Sequence, residues 1–205
     1  IGKKRRNIFE KMKILITGAN GMLGSALVSY LAQYDHTIFA ICRSKDKFGT
    51  DLKGVHWIKS SIERSAGLEK VIAEADIVIH TAALVSYDPV DTEALKDSNY
   101  KLTLQLLKLC LRNRKPYFIH ISSTAAIGRK DNTLIDETML WSEHNSNTYY
   151  AYSKNQAENA VMEAVDRGLR AVILNPSVII PIGQFDKSPN HIFKQIQNGL
   201  HYYPV

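Results

Sequence analysis

The segment Gly18-Ala19-Asn20-Gly21-Met22-Leu23-Gly24 constrains this chain more than any other stretch. It follows the apolar run Ile14-Leu15-Ile16 and opens an amphipathic segment, Ser25 to Tyr34. A strand therefore passes into a helix through evenly spaced glycines. Glycine permits the tight turn and keeps Cβ atoms out of the space between backbone and ligand. The helix beginning there offers unpaired N–H groups and the positive end of its dipole to an anion. The spacing G-x-x-G-x-x-G differs from the G-x-G-x-x-G fingerprint. It predicts a backbone cradle for a diphosphate; a glycine-rich turn in an unrelated α/β protein is the competing reading.

The rest of the chain alternates strands and helices. His36 to Cys42 reads as a second strand and Val55 to Lys59 as a third. The apolar runs Ile77-Val78-Ile79 and Phe118-Ile119-His120-Ile121 suit strands buried on both faces. Ala171 to Leu174 is a sixth strand, halted by Pro176. Ser65 to Ala73, Asp91 to Asn113 and Tyr150 to Asp166 read as helices, the last ended by Gly168. This alternation predicts an α/β fold, a doubly wound parallel sheet with helices on both faces. In such sheets the ligand lies outside the C-terminal strand ends, at the switch point. Attention falls on Gly18–Gly24, Arg43, Ser61 and Ile62, Thr81–Val85, Ser122–Thr124 and Pro176–Val178.

Composition narrows the class. The chain has 205 residues, 45% hydrophobic and 22% charged, which suits one globular domain with a sizeable core. Its net charge of +6 owes much to Lys3, Lys4, Arg5, Arg6, Lys11 and Lys13. The remaining charge is mixed and forms no basic stripe, so nucleic acid is not an expected partner. Cys42 and Cys110, the only cysteines, suggest reduced thiols and a cytoplasmic setting. No apolar run approaches the roughly 20 residues that span a bilayer, so no membrane segment is expected. The 7 histidines lack metal-ligand spacing, and no metal is expected. His80 and His120 read as hydrogen-bonded core residues. The expected organisation is an N-terminal extension over 1–11, disordered or artificial, a nucleotide-binding domain over 12–183, and the start of a smaller lobe over 184–205.

The strand ends also carry reactive groups. Ser122-Ser123-Thr124 follows the fifth strand, and Tyr150-Ala151-Tyr152-Ser153-Lys154 opens the next long helix. Positions i and i+4 share a helix face, so Tyr150 and Lys154 project together. A phenol with a pKa near 10 is a poor base at neutral pH, and a nearby ammonium is expected to lower it. A serine hydroxyl from the strand end could then polarise a substrate carbonyl.

At these residues the chain resembles the extended short-chain dehydrogenase/reductase family of the epimerase/dehydratase type, in the pattern of its dihydroflavonol reductase and 3β-hydroxysteroid dehydrogenase branch. The likeness runs from Lys13 to about Gly183. It includes Thr17-Gly18-x-x-Gly21-x-x-Gly24, His80-Thr81-Ala82-Ala83, Asn99, Ser122-Ser123 with Gly128, Tyr150-x-x-x-Lys154 with Glu158, and Asn175-Pro176-Ser177-Val178-Ile179. The resemblance implies a Rossmann-type fold with Tyr150 as general acid/base. Lys154 would bind the nicotinamide ribose and lower the tyrosine pKa. Ser123 would bind the substrate oxygen, with Ser122 and Thr124 as neighbouring candidates. Cofactor contacts are implied at Gly18, Asn20, Gly21, Met22, Leu23 and Gly24, at Arg43, Ser61 and Ile62, and at Thr81, Ala82 and Ala83. Further contacts are implied at Asn99, Ser122, Tyr150, Lys154, Pro176, Ser177 and Val178. Ser60-Ser61-Ile62 stands where many members carry an acidic residue near the adenine. The chain stops at Val205, before most of the family's small substrate lobe.

The end of the second strand bears on cofactor choice. A carboxylate there would bind a ribose 2′-hydroxyl, whereas arginine accommodates a 2′-phosphate. Cys42-Arg43-Ser44-Lys45 has no carboxylate before Asp46, which favours NADP, with NAD as the alternative. The expected activity is hydride transfer between nicotinamide and a carbonyl or secondary alcohol of a small molecule. A nucleotide-sugar epimerase or dehydratase with retained cofactor is the first alternative, and a non-catalytic NAD(P)-sensing regulator the second. The resemblance also implies a homodimer through helices 91–113 and 150–166.

Overall fold

The computed structural model describes residues 10–43, 51–60, 65–113, 116–128, 134–139, 141, 148–180 and 199. The apolar runs form strands β1 (Lys13–Thr17), β2 (Thr37–Cys42), β3 (Val55–Lys59), β4 (Ile77–His80), β5 (Tyr117–Ile121) and β6 (Ala171–Leu174). These make one sheet in the order β3-β2-β1-β4-β5-β6, with every pairing parallel. The chain steps outward from β1 to β3 and returns through β4 on the other side. The crevice beyond the carboxyl ends of β1 and β4 is thus the switch point where such sheets bind ligands. The doubly wound reading holds. The expected segments 1–11 and 184–205 lie almost wholly outside the described residues.

Strand alternation sends neighbouring residues to opposite faces. One face carries α2 (Ser65–Glu74), α4 (Leu102–Arg112) and α5 (Tyr149–Asp166), whose Leu68, Leu106 and Val161 pack on Leu15, Val78 and Phe118. On the opposite face, Val28 of α1 (Met22–Leu31) meets Ile14, Ile16, Ile38 and Ile79. Burial of such side chains contributes roughly 1.5–3 kcal/mol each. Among the described residues no helix is long and apolar enough to cross a membrane.

Local chemistry sets the helix ends. The Thr148 side chain accepts from the Ala151 N–H at 3.1 Å and caps α5. At the other end the Leu169 N–H donates to the Ala164 carbonyl at 3.0 Å and the Gly168 N–H to the Val165 carbonyl at 2.8 Å. With Gly168 at φ 89, this is the paired closure that glycine makes inexpensive.

Two expectations are corrected. First, α1 starts at Met22 rather than Ser25, so Gly24 lies inside the helix. Second, Asp91 to Asn113 is not one regular helix. A 3₁₀ turn over Pro89–Asp91 leads into a short α3 (Thr92–Leu95), then a π-helical stretch over Lys96–Lys101, and only then α4. The wide turn rotates Asn99 inward, where it is 1% exposed and bonded to the chain after β4, as described below.

Candidate active site

The glycine turn closes on itself. The Gly21 N–H donates to the Gly18 carbonyl at 2.8 Å, and the Ala19 N–H donates to the Ile41 carbonyl at 3.1 Å. Gly18 adopts φ 68, where L side chains are strained, and a Cβ there would lie 2.7 Å from the Ala82 nitrogen. A Cβ on Gly24 would lie 2.1 Å from the Gly18 carbonyl oxygen. No side chain caps α1 at Gly21, and no acidic residue stands in its first turn. Its leading N–H groups therefore remain available to an anion.

A cleft of about 200 Å³ opens in front of this turn. Gly18, Asn20 and Gly21 form one wall, Arg43 stands at the end of β2, and Thr81, Ala82 and Ala83 follow β4. Among the described residues lining it there is no carboxylate. The uncapped helix start, the Cβ-free cradle and the arginine fit the phosphates of a dinucleotide. Met22, Leu23 and Gly24 lie in the first turn of α1, behind the lining. Ser61 and Ile62 lie outside the described residues. Ser60, the residue before them, lines the cleft, as do Ser98 of the π stretch and Leu102 of α4. Ser60 belongs to the Ser60-Ser61-Ile62 stretch noted in the sequence, whereas Ser98 and Leu102 were not assigned to the cleft; they reach it beside a turn that helical periodicity does not show.

Asn99 stands apart from the cleft lining. Its Oδ1 accepts from the Leu84 N–H at 2.7 Å, and its Nδ2 donates to the Leu84 carbonyl at 2.9 Å and to Ser153 Oγ at 3.0 Å. With its amide engaged at both ends, it holds the loop after β4 against α5 rather than facing the cleft.

The predicted acid/base set does come together. Ser123 follows β5 in extended backbone and caps the 3₁₀ turn Thr124–Ile127 by accepting from the Ala125 N–H at 3.2 Å, which fixes its rotamer. Its hydroxyl lies close enough to the phenol of Tyr150 to favour the phenolate. Tyr150 is 8% exposed, and the Tyr87 ring meets it edge-on at 6.0 Å. Lys154, one turn further along α5, is 2% exposed and donates from Nζ to the Ile121 carbonyl oxygen at 2.8 Å. Behind Ser123, the Asn175 amide donates to the Ser123 carbonyl at 3.0 Å and to Glu158 Oε1 at 2.6 Å. Ser122 is buried beside Glu158. Pro176 accepts from the Thr124 N–H at 3.1 Å, and Val178 is 65% exposed near the end of the described chain.

The electrostatics differ from the expectation in one respect. Burial pushes the Tyr150 pKa up, the Ser123 hydroxyl pulls it back, and Tyr87 raises it further. Lys154 does not lower it here, because the ammonium points to β5. Burial in turn pulls Lys154 down to about 8.

The histidines beneath the site part company. His80 Nδ1 pairs with Thr17 Oγ1 at 2.6 Å and Nε2 with Thr103 Oγ1 at 2.9 Å, as a hydrogen-bonded core residue should. His120 is buried but not hydrogen-bonded, for neither ring nitrogen has a partner among the described residues. Its ring is flanked by His80 at 5.5 Å and Phe118 at 6.4 Å. Burial lowers His80 to about 3 and holds His120 well below its ordinary value, so both rings are neutral.

A doubly wound sheet with a glycine cleft at its switch point and a serine–tyrosine–lysine group at the same edge defines the short-chain dehydrogenase/reductase class. Within it, the chain belongs to the NAD dependent epimerase/dehydratase family, whose model matches residues 14–202. It is 28% identical over 191 residues to sterol demethylase protein B of Methylococcus capsulatus, covering 93% of this chain and 58% of that protein. It is 29% identical over 177 residues to a putative dihydroflavonol 4-reductase of Synechocystis, covering 85% and 50% respectively. Over 183 residues it is 28% identical to cinnamoyl-CoA reductase 1 of Petunia hybrida, covering 81% and 54%. The chain thus spans little more than half the length of these relatives. Among solved structures, a UDP-N-acetylglucosamine 4-epimerase from Methanobrevibacter ruminantium superposes with TM-score 0.77 at 23% identity, over 92% of this chain and 64% of that one. The Bordetella bronchiseptica enzyme WbmH in complex with NAD+ gives 0.75 at 20% identity, over 93% and 64%. At such identities these structures speak for the fold.

Proposed function

We propose that the protein is an NAD(P)-dependent reductase or dehydrogenase acting on a carbonyl or secondary alcohol of a small molecule, with Tyr150 exchanging the proton. The observation that carries this reading is that Ser123, at the end of β5, and Tyr150, in the first turn of α5, stand together at the same carboxyl edge of the sheet as the glycine cleft. A substrate oxygen placed between those hydroxyls would be polarised by one and protonated or deprotonated by the other. The nicotinamide supplies or takes the hydride when bound. The α1 N-terminus and the Gly18–Gly24 turn would hold the phosphates, and Lys154, buried below Tyr150, would hold the ribose and keep positive charge behind the phenol. Removing the Ser123 hydroxyl would leave burial unopposed in pushing the phenol up, away from the range where it serves near neutral pH.

Arg43 in the cleft wall, with no carboxylate among the described lining residues, supports NADP over NAD. The exposed Tyr87 ring against Tyr150, with exposed Val85 two residues before it on the same loop, supports a reductase of apolar carbonyls over a nucleotide-sugar enzyme. The test is to purify the protein, release any bound nucleotide and identify it by mass spectrometry. A panel of aldehydes and ketones is then assayed with NADPH and NADH. Exchangeable nucleotide and NADPH-dependent reduction support the reading, whereas a tightly retained NAD with no net turnover points to an epimerase.

A further inference from the structure

The end of β5 and the chain after β6 stay paired beyond the two strands. The Ser122 N–H donates to the Leu174 carbonyl at 2.8 Å and the Thr124 N–H to the Pro176 carbonyl at 3.1 Å. Pro176 has no N–H, so its backbone returns no bond at this level. The side chain before it does. Asn175 Nδ2 donates to the Ser123 carbonyl at 3.0 Å. Both polar ends of the planar Ser123–Thr124 peptide are thus held by two consecutive residues. A backbone carbonyl only accepts, which orients the amide with its nitrogen toward Ser123. The same nitrogen also donates to Glu158 Oε1 at 2.6 Å, further along α5 than Tyr150. One amide therefore ties together the β5 end, the chain after β6 and the helix that carries Tyr150.

We propose that Asn175 is a positioning residue of the site: its amide fixes the Ser123–Thr124 peptide and with it the Ser123 hydroxyl, acting on a substrate oxygen only through that serine. The proposal rests on the reading of Ser123 and Tyr150 as the reacting pair. Ser123 stands in extended backbone, and its Oγ accepts from the Ala125 N–H at 3.2 Å. That cap spans the very peptide that Asn175 holds. A rotation of the peptide moves Ala125 relative to Ser123 and so frees the hydroxyl from its rotamer. Holding the peptide at both ends prevents that rotation.

The test separates the two contacts of the amide. Asn175→Leu removes both donors. The double variant Asn175→Asp/Glu158→Gln keeps the net charge and exchanges donor for acceptor. It restores a hydrogen bond between the two positions but leaves the Ser123 carbonyl without its donor. The readout is the Tyr150 phenol midpoint, from NMR titration of ¹³Cζ-labelled tyrosine in the apo protein, with the resonance assigned by its loss in Tyr150→Phe. The Ser123 hydroxyl favours that phenolate, and Tyr87, which also acts on it, is unchanged in every variant. Asn175→Leu and the double variant should each raise the midpoint as far as Ser123→Ala does. Combined with Ser123→Ala, Asn175→Leu should add nothing. If Asn175→Leu does not fold, the double variant carries the test. A parental midpoint in Asn175→Leu overturns the proposal. So does one in the double variant, which would assign the effect to the Glu158 contact. A rise that adds to that of Ser123→Ala also overturns it, because the effect would bypass the serine. An unmoved midpoint in Ser123→Ala overturns the proposal together with the pairing on which it rests. The titration uses neither nucleotide nor substrate, so absent turnover on the carbonyl panel would sink the reductase reading and leave this result standing.

Discussion

The Lys154 ammonium donates to the Ile121 carbonyl oxygen at 2.8 Å, which anchors the cation of α5 to the strand that delivers Ser122 and Ser123. The contact fixes how the helix sits on the sheet and so where Tyr150 stands. It also leaves a buried charge whose cost is measurable as pH changes.

Lys154 is held at about 8 against an ordinary 10.5. Between those values the unfolded chain binds a proton that the folded chain has released, so stability rises with pH across that window. Below about pH 8 the cost of the buried cation is fully present, about 3 kcal/mol on the scale of 1.36 kcal/mol per pKa unit. Lys154→Met should remove this pH dependence. Urea unfolding at pH 7 and pH 9.5 is expected to show the variant's stability advantage shrinking at the higher pH. A difference that stays constant would mean that the lysine is not buried as charge.

The two glycines Gly24 and Gly67 should respond in opposite ways to alanine. At Gly24 the new methyl would lie 2.1 Å from a backbone oxygen that cannot swing aside, whereas at Gly67 in α2 nothing lies within 4 Å. Gly24→Ala should cost about 1–3 kcal/mol by overpacking and weaken nucleotide binding. Gly67→Ala should stabilise by about 0.5–1 kcal/mol through helix propensity. Thermal melts with and without nucleotide measure both.

Arg43 lines the cleft where an adenosine 2′-phosphate would be recognised. A hydrogen bond to a charged group contributes about 1.5–3 kcal/mol, so NADPH should bind at least about tenfold more tightly than NADH. Arg43→Ala should narrow that gap without weakening NADH. Titration calorimetry on both nucleotides provides the check, and equal affinities in the parent protein would count against NADP.

Much of this architecture is legible in residue order. The strand–glycine–helix unit at Ile14 to Gly24 and the buried runs at Ile77 and Phe118 carry local signals, and the sheet follows from their alternation. Tyr150 and Lys154 are visible because one helix face holds both. Other features depend on distant partners. The π turn escapes detection because the leucine stripe from Leu95 to Leu109 tolerates one widened turn. What sets it is Asn99 reaching Leu84, 15 residues away. The direction of Lys154 toward β5 rather than Tyr150, and the hold of Asn175 on Glu158, arise only once β5, β6 and α5 are assembled. His120 was expected to find hydrogen-bond partners, but rings rather than polar groups flank it.

Turnover by Tyr150→Phe tests the central claim most directly. The change removes one hydroxyl and leaves the ring packed against Tyr87, so nucleotide affinity by calorimetry should be nearly unchanged. Loss of a positioned acid/base typically costs about 10²–10⁴-fold, and the account predicts a fall in kcat at least in that range. Near-parental turnover in a variant that still binds nucleotide would contradict it, and the proton would have to come from another group.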